Sequence, residues 1–210
     1  MQSLRRVVLA LLLFSVVGAA AAAAQAGKDY SAINPPQPTD TGSKVEVIEF
    51  FSYACPHCNH LEPGLEAWSK RVPANVVLHR VPVTFGRPDW VALVKLYYTL
   101  ETMGVADKMN AKVFSAIHDA HQTLNNAESC TNWAASQGLD ARKFADVFNS
   151  FGVQAKVQRA NAKAAAYAVD GVPMLVVDGK FRTSPAQAGG NEQSLAVTDE
   201  LIALTAKDHR

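Results

Sequence analysis

Val45-Glu46-Val47-Ile48-Glu49-Phe50-Phe51-Ser52-Tyr53-Ala54-Cys55-Pro56-His57-Cys58 is the stretch whose reading decides the fold of this chain. Its first seven residues are β-branched or aromatic apart from two acids, and they predict a short central strand covered on both faces. The strand runs directly into a cysteine pair. Pro56 biases Cys55 away from helical geometry and itself suits a first helical position, because it has no N–H to leave unpaired. Cys55 then becomes the N-cap of a helix reaching about Lys70. Its sulfur faces the unpaired N–H groups and the positive end of that helix. A thiolate is favoured there, so the Cys55 pKa should be depressed. His57 can add a donor or a positive charge beside the sulfur. Cys58 lies three residues on, further into the helix and more buried, within reach of a four-residue disulfide ring.

Two cysteines in this setting can exchange an electron pair with other thiols. A purely stabilising disulfide is the bland alternative, but so small a ring removes little chain entropy. If the fold holds Cys55 as a thiolate, the reduced pair is favoured and the disulfide is an oxidant. Cys55, Cys58 and His60 imitate zinc-ligand spacing, yet His118 and His121 are not accompanied by a second cysteine couple. Neither a metal nor a cofactor is expected.

The compartment follows from the N-terminus. Arg5 and Arg6, the apolar run 7–17 and an Ala tract ending Ala24-Gln25-Ala26 form a secretory leader with a small-residue cleavage site. The apolar core is shorter than the roughly 18–20 residues needed to span a bilayer. Cleavage is expected after Ala26, with Ala24 as the rival. The arginine pair raises the twin-arginine route, but the general secretory path fits its flanks better. Losing Arg5 and Arg6 takes the formal charge from +1 to −1. That balance points to neither nucleic acid nor an anionic membrane as partner. Three cysteines are too few for a disulfide scaffold, and the odd count leaves Cys130 without a partner.

Beyond the leader, residues 28–44 carry three prolines and read as an extended lead-in. Asn75–Val83 predicts a second strand. From Gly86 the period becomes helical: Asp89 can cap a helix bearing Trp90, Leu93, Val94 and Tyr97 on one face. Met109, Val113 and Ile117 form a second stripe, and Cys130, Trp133, Ala134 and Gln137 a third. Asp140 can cap a fourth helix with Phe144, Val147, Phe148 and Phe151 in register. An Ala/Lys-rich helix follows to about Val169, ending before Gly171. Residues 174–177 return to strand chemistry, with Asp178-Gly179 as the hairpin turn into Lys180-Phe181-Arg182. A last amphipathic helix covers Ser194–Ala206. This order predicts an α/β fold interrupted by an all-helical insertion, with divisions at 27–85, 86–160 and 161–210.

Residues 47–58, Gly171-Val172-Pro173-Met174, Asp178-Gly179-Lys180-Phe181 and Met103-Gly104-Val105-Ala106-Asp107-Lys108 together resemble the DsbA family of periplasmic thiol:disulfide oxidoreductases. The resemblance covers nearly the whole mature chain, and implies a thioredoxin-like domain carrying an inserted helical domain. It also implies a monomer that oxidises newly exported cysteine-containing proteins and is reoxidised by the quinone-linked membrane protein DsbB. Pro173 would be cis and lie beside the sulfurs, with the Val172 backbone meeting an extended peptide. The resemblance further implies an oxidising potential and a depressed Cys55 pKa.

Glu49 is the remaining anomaly, since an acid among Val, Ile and Phe is costly to bury unless paired or protonated. Arg80 in the second strand stands where that family carries a cation. Two readings stay open: a structural Glu49–Arg80 ion pair or edge-exposed acid, and a proton relay beneath Cys58. Cys130 reads as a quiet core thiol. His118 and His121 read as surface or core residues, and Trp68, Trp90, Tyr97 and Tyr98 mostly as packing. The rival functions are a reductase or isomerase, which lacks a dimerisation domain here, and a peptide-binding module with a static disulfide.

Overall fold

The computed structural model describes residues 23–209, so the charged and apolar parts of the expected leader lie outside the described residues. Five strands form one sheet: β1 (Ser31–Ala32), β2 (Val45–Phe51), β3 (Val76–Pro82), β4 (Met174–Val177) and β5 (Phe181–Thr183). Their order is β1-β5-β4-β2-β3, with β2–β3 parallel and every other pair antiparallel. A parallel pair needs a crossover, and α1 (Pro56–Ser69) supplies it. The predicted central strand β2 is buried along its whole length.

Side chains of a strand alternate between faces. Val45 and Val47 pack with Leu61, Leu65 and Trp68 of α1, whereas Ile48 and Phe50 join the second core shared with the helical insertion. The two acids of β2 therefore go opposite ways. Glu46 meets His79 and Lys163, and Glu49 meets Arg80, its register partner on β3.

Between β3 and β4 lie α2 (Pro88–Thr102), α3 (Ala106–His118), α4 (Ala127–Ser136), α5 (Ala141–Phe148) and α6 (Phe151–Ala166). The expected stripes face inward: Leu93, Val94, Tyr97, Met109, Val113, Cys130, Trp133, Ala134, Phe144 and Phe148 are all buried. Four local expectations need correction. Arg87, not Asp89, is the N-cap of α2, because Pro88 takes the first helical position and Asp89 is held by Arg87 at 3.0 Å. Phe151 leaves the α5 stripe and is 87% exposed. The Ser150 hydroxyl accepts the Val153 N–H and starts a new helix there. That helix stops at Ala166 rather than Val169: Ala168 adopts φ +47° and Val169 N–H returns to Ala164 C=O, a left-handed stop made without glycine. Finally, the last helix, α8 (Asn191–Thr205), begins earlier than predicted, after a short α7 (Pro185–Ala188).

The lead-in also contains β1, unrecognised in the sequence because two residues show no period. Asp178 and Gly179 both have positive φ, as a tight hairpin turn requires, and a Cβ on Gly179 would collide with the Gln37 carbonyl. The expected division at residue 160 falls inside α6, which carries the chain back to the sheet unbroken. Among the described residues no helix is long and apolar enough to cross a membrane.

Candidate active site

The end of β2 and the start of α1 fix the cysteine pair. Cys55 N–H donates to Ser52 C=O at 3.0 Å, Cys55 is the N-cap with φ −89° and ψ 117°, and Pro56 opens the helix. Cys55 is 8% exposed and Cys58 fully buried, while Pro56 and His57 face solvent. Both sulfurs are thiols in this state.

The two proton affinities are driven apart. Cys55 is lowered from 9.0 to about 6, first by the hydrogen bond that Cys58 gives it, against partial burial. The backbone N–H groups of Cys58 and His57, and the His57 charge, add to the lowering. Helix terminus and histidine thus act as expected, but the neighbouring thiol outweighs both. Burial pushes Cys58 far up, and the charges of Cys55 and Glu49 push it further. A nucleophile and a proton holder sit side by side.

Val172 and Pro173 come against the pair. The Cys55 Sγ lies 3.3 Å from Val172 C=O, and the Val172–Pro173 bond is cis. A cleft of about 540 Å³ opens beside them, lined among others by His57, His60, Val172, Pro173, Pro185 and Asn191. Among the described residues no three His, Cys, Asp or Glu side chains converge as a metal site.

Behind the thiols, Glu49 is buried on β2 and Arg80 Nε–H reaches its Oε2 at 3.1 Å. The Glu49–Arg80 ion pair, one of the readings the sequence left open, is present. Even so, burial raises Glu49 from 4.5 to about 7, with Arg80 pulling the other way. Among the described residues Glu49 Oε1 is buried without a partner.

Sequence reasoning missed Glu62. Arg80 Nη2 donates to both Glu62 oxygens, at 3.1 and 3.2 Å. Glu62 stands four residues after Cys58, so helical spacing alone puts it on the face that buries Cys58. Asn110 and Tyr53 extend the network, through contacts between distant segments that no sequence pattern signals.

The other candidates sort simply. Cys130 is fully buried, its S–H directed at Leu124 C=O, and burial lifts it to about 12. His118 Nε2 lies 2.8 Å from Tyr53 C=O, whereas His121 is exposed. Trp68 donates to Asp199, Arg87 stacks on Trp90, and Tyr97 and Tyr98 are buried.

A split thiol pair at the head of α1 on this thioredoxin-like sheet makes the protein a thiol:disulfide oxidoreductase. Residues 46–197 match the DSBA-like thioredoxin domain family. The thiol:disulfide interchange protein DsbA of Bordetella parapertussis is 44% identical over 199 residues, 94% of each chain. That of Pseudomonas aeruginosa is 40% identical over 194 residues, covering 91% of this chain and 92% of the relative. The crystal structure of Pseudomonas aeruginosa DsbA superposes with a TM-score of 0.84 at 38% identity, covering 88% of this chain and 96% of that one. Reduced DsbA1 from Neisseria meningitidis gives 0.80 at 26% identity, over 90% and 98%. The chain belongs to the DSBA-like thioredoxin family.

Proposed function

We propose that the protein works in the periplasm as a monomer, donating its Cys55–Cys58 disulfide to newly exported cysteine-containing proteins, and that a DsbB-like membrane partner reoxidises it. A substrate thiolate attacks Cys55 Sγ, so that a substrate–Cys55 bond forms and the Cys55–Cys58 bond breaks. The electron pair leaves on Cys58, which takes a proton from Glu49. A second substrate thiolate then attacks the substrate sulfur of the mixed disulfide, and Cys55 departs as a thiolate. The substrate has lost two electrons and the Cys55–Cys58 pair has gained them. Val172 offers its backbone to the bound peptide, and Pro173, with no N–H, borders it. Arg80 holds Glu49 in place.

The observation that carries this reading is the split pair: Cys55 lowered to about 6 beside a Cys58 raised by burial. A thiol that leaves easily makes its disulfide a good donor. Titrating the pair against glutathione tests it. The expected potential lies above about −180 mV, the isomerase range; a value near thioredoxin's, about −270 mV, would make the protein a reductase.

Export requires removal of the leader. Ala24 N–H donates to the Glu200 carboxylate at 2.7 Å, and Ala26 bridges to Tyr30. Cleavage after Ala26 would discard both contacts, whereas a cut between Ala23 and Ala24 sets the new ammonium against Glu200. Those two contacts support processing before Ala24 over the cut after Ala26 expected from the small-residue rule.

A further inference from the structure

Asn110 hydrogen-bonds to Glu62 and Tyr53 rather than to either sulfur and is not among the residues lining the peptide cleft, yet it closes the charge network beneath them. It is buried on α3, where its Nδ2–H donates to Glu62 Oε1 at 2.6 Å and its Oδ1 accepts the Tyr53 hydroxyl at 2.6 Å. With both ends of the amide engaged, its donor is fixed on Glu62. Tyr53 lies two residues before Cys55, and its carbonyl in turn meets His118 of the same α3. One guanidinium serves two buried acids, and the division is unequal. Arg80 gives Nη2 to both oxygens of Glu62 but only Nε to Glu49, whose Oε1 has no partner among the described residues.

We propose that Asn110 is a positioning residue: by fixing the Glu62 carboxyl with its amide donor it keeps Arg80 Nη2 turned toward Glu62 rather than Glu49, and so leaves Glu49 able to hold the proton that Cys58 needs. This rests on the relay assigned to Glu49 above. The groups bearing on Glu49 are Arg80 of β3, Glu62 and Cys58 of α1, Tyr53 of the active-site loop and Tyr97 of α2. Those bearing on Glu62 are Arg80, Asn110, Glu49, Tyr53, Glu66 of α1 and Asp107 of α3. Arg80 is the sole cation among them. Burial raises Glu62, and Arg80 and Asn110 oppose that rise. Without the amide donor Glu62 takes up a proton more readily, and the freed charge of Arg80 passes to Glu49. The proton affinity of Glu49 then falls.

Difference infrared spectroscopy of the protonated-carboxyl band reads Glu49 directly, with Glu49→Gln assigning the band. In Asn110→Leu the Glu49 inflection is expected to drop from about 7 by about 0.5–1 pH unit, the size of one lost hydrogen bond to a charged neighbour passed on through a shared cation. Asn110→Ala should do the same and serves if the Leu variant does not fold. Glu62→Gln should shift the inflection in the same direction, and adding Asn110→Leu to it should shift it no further. An unmoved inflection in the Asn110 variants, or shifts that simply add, overturns the proposal. Stopped-flow rates of Glu49→Gln test the relay separately. Unchanged rates there would remove the relay and leave the infrared result on Asn110 standing.

Discussion

Replacing Cys55 by Ala in the reduced protein should cost stability in a strongly pH-dependent way. The Cys55 thiol falls from 9.0 to about 6 on folding. A depressed acid stabilises fully above its unfolded pKa, and the contribution is lost as pH falls through the folded one. Linkage gives about 2.7 kcal/mol at pH 8, about 1.4 kcal/mol at pH 7 and almost nothing at pH 5. Glu49 complicates the raw pH profile, because its rise from 4.5 to about 7 has the opposite slope: folded protein binds that proton more tightly, so stability falls as pH climbs through this window. Taking the difference between native and Cys55→Ala removes the Glu49 contribution, which both share. Urea unfolding under a strong reductant at pH 5 and pH 8 should therefore show the gap widening by about 2.5 kcal/mol. The same linkage favours the reduced over the oxidised pair at pH 7 by about 30 mV from Cys55 alone. Cys58→Ala is unsuited to isolating this thiolate. It deletes the hydrogen bond that leads the lowering, and Cys55 should titrate closer to 9.0 in that variant. A gap that changes by less than about 0.5 kcal/mol between the two pH values would refute the argument.

Arg80→Leu leaves Glu49 and Glu62 buried without their cation, and should cost about 3–5 kcal/mol at neutral pH. Both carboxyls are then raised, so urea midpoints should recover toward native as acid protonates them; a loss under about 1 kcal/mol would mean the network is not what holds these acids. Pro173→Thr gives the segment beside Cys55 an N–H it lacks and should slow release more than attack, so that mixed disulfides accumulate on Cys55 in non-reducing gels of periplasmic extract. Normal turnover with no trapped species would remove Pro173 from the site. Intact mass of the exported protein should correspond to an N-terminus at or before Ala24, and a mass beginning at Gly27 would show that the Glu200 contact is dispensable.

Much of this protein was legible in its sequence because it rests on local rules. Residues 45–51 could only be a buried strand, Pro56 fixed Cys55 as the head of a helix, and the helical stripes from Leu93 to Phe148 faced the core as their period required. Local competition was harder to read. Ser150 interrupts the aromatic stripe at Phe151, and Ala168 ends α6 before any glycine, because a cap or a left-handed residue acts within one turn and leaves the hydrophobic period unchanged. The network behind the thiols was decided by tertiary structure alone. Glu49 and Arg80 were each conspicuous, but how one guanidinium divides between Glu49 and Glu62 depends on which of them also meets Asn110, on a helix that begins 44 residues after Glu62. The same holds for Cys55: sequence places its sulfur at a helix end, whereas its largest stabiliser, the Cys58 thiol, acts through a distance and an orientation that exist only once both residues are packed. A charge's energy in a protein interior is set by the few groups within hydrogen-bonding reach, and chain order does not say which groups those are.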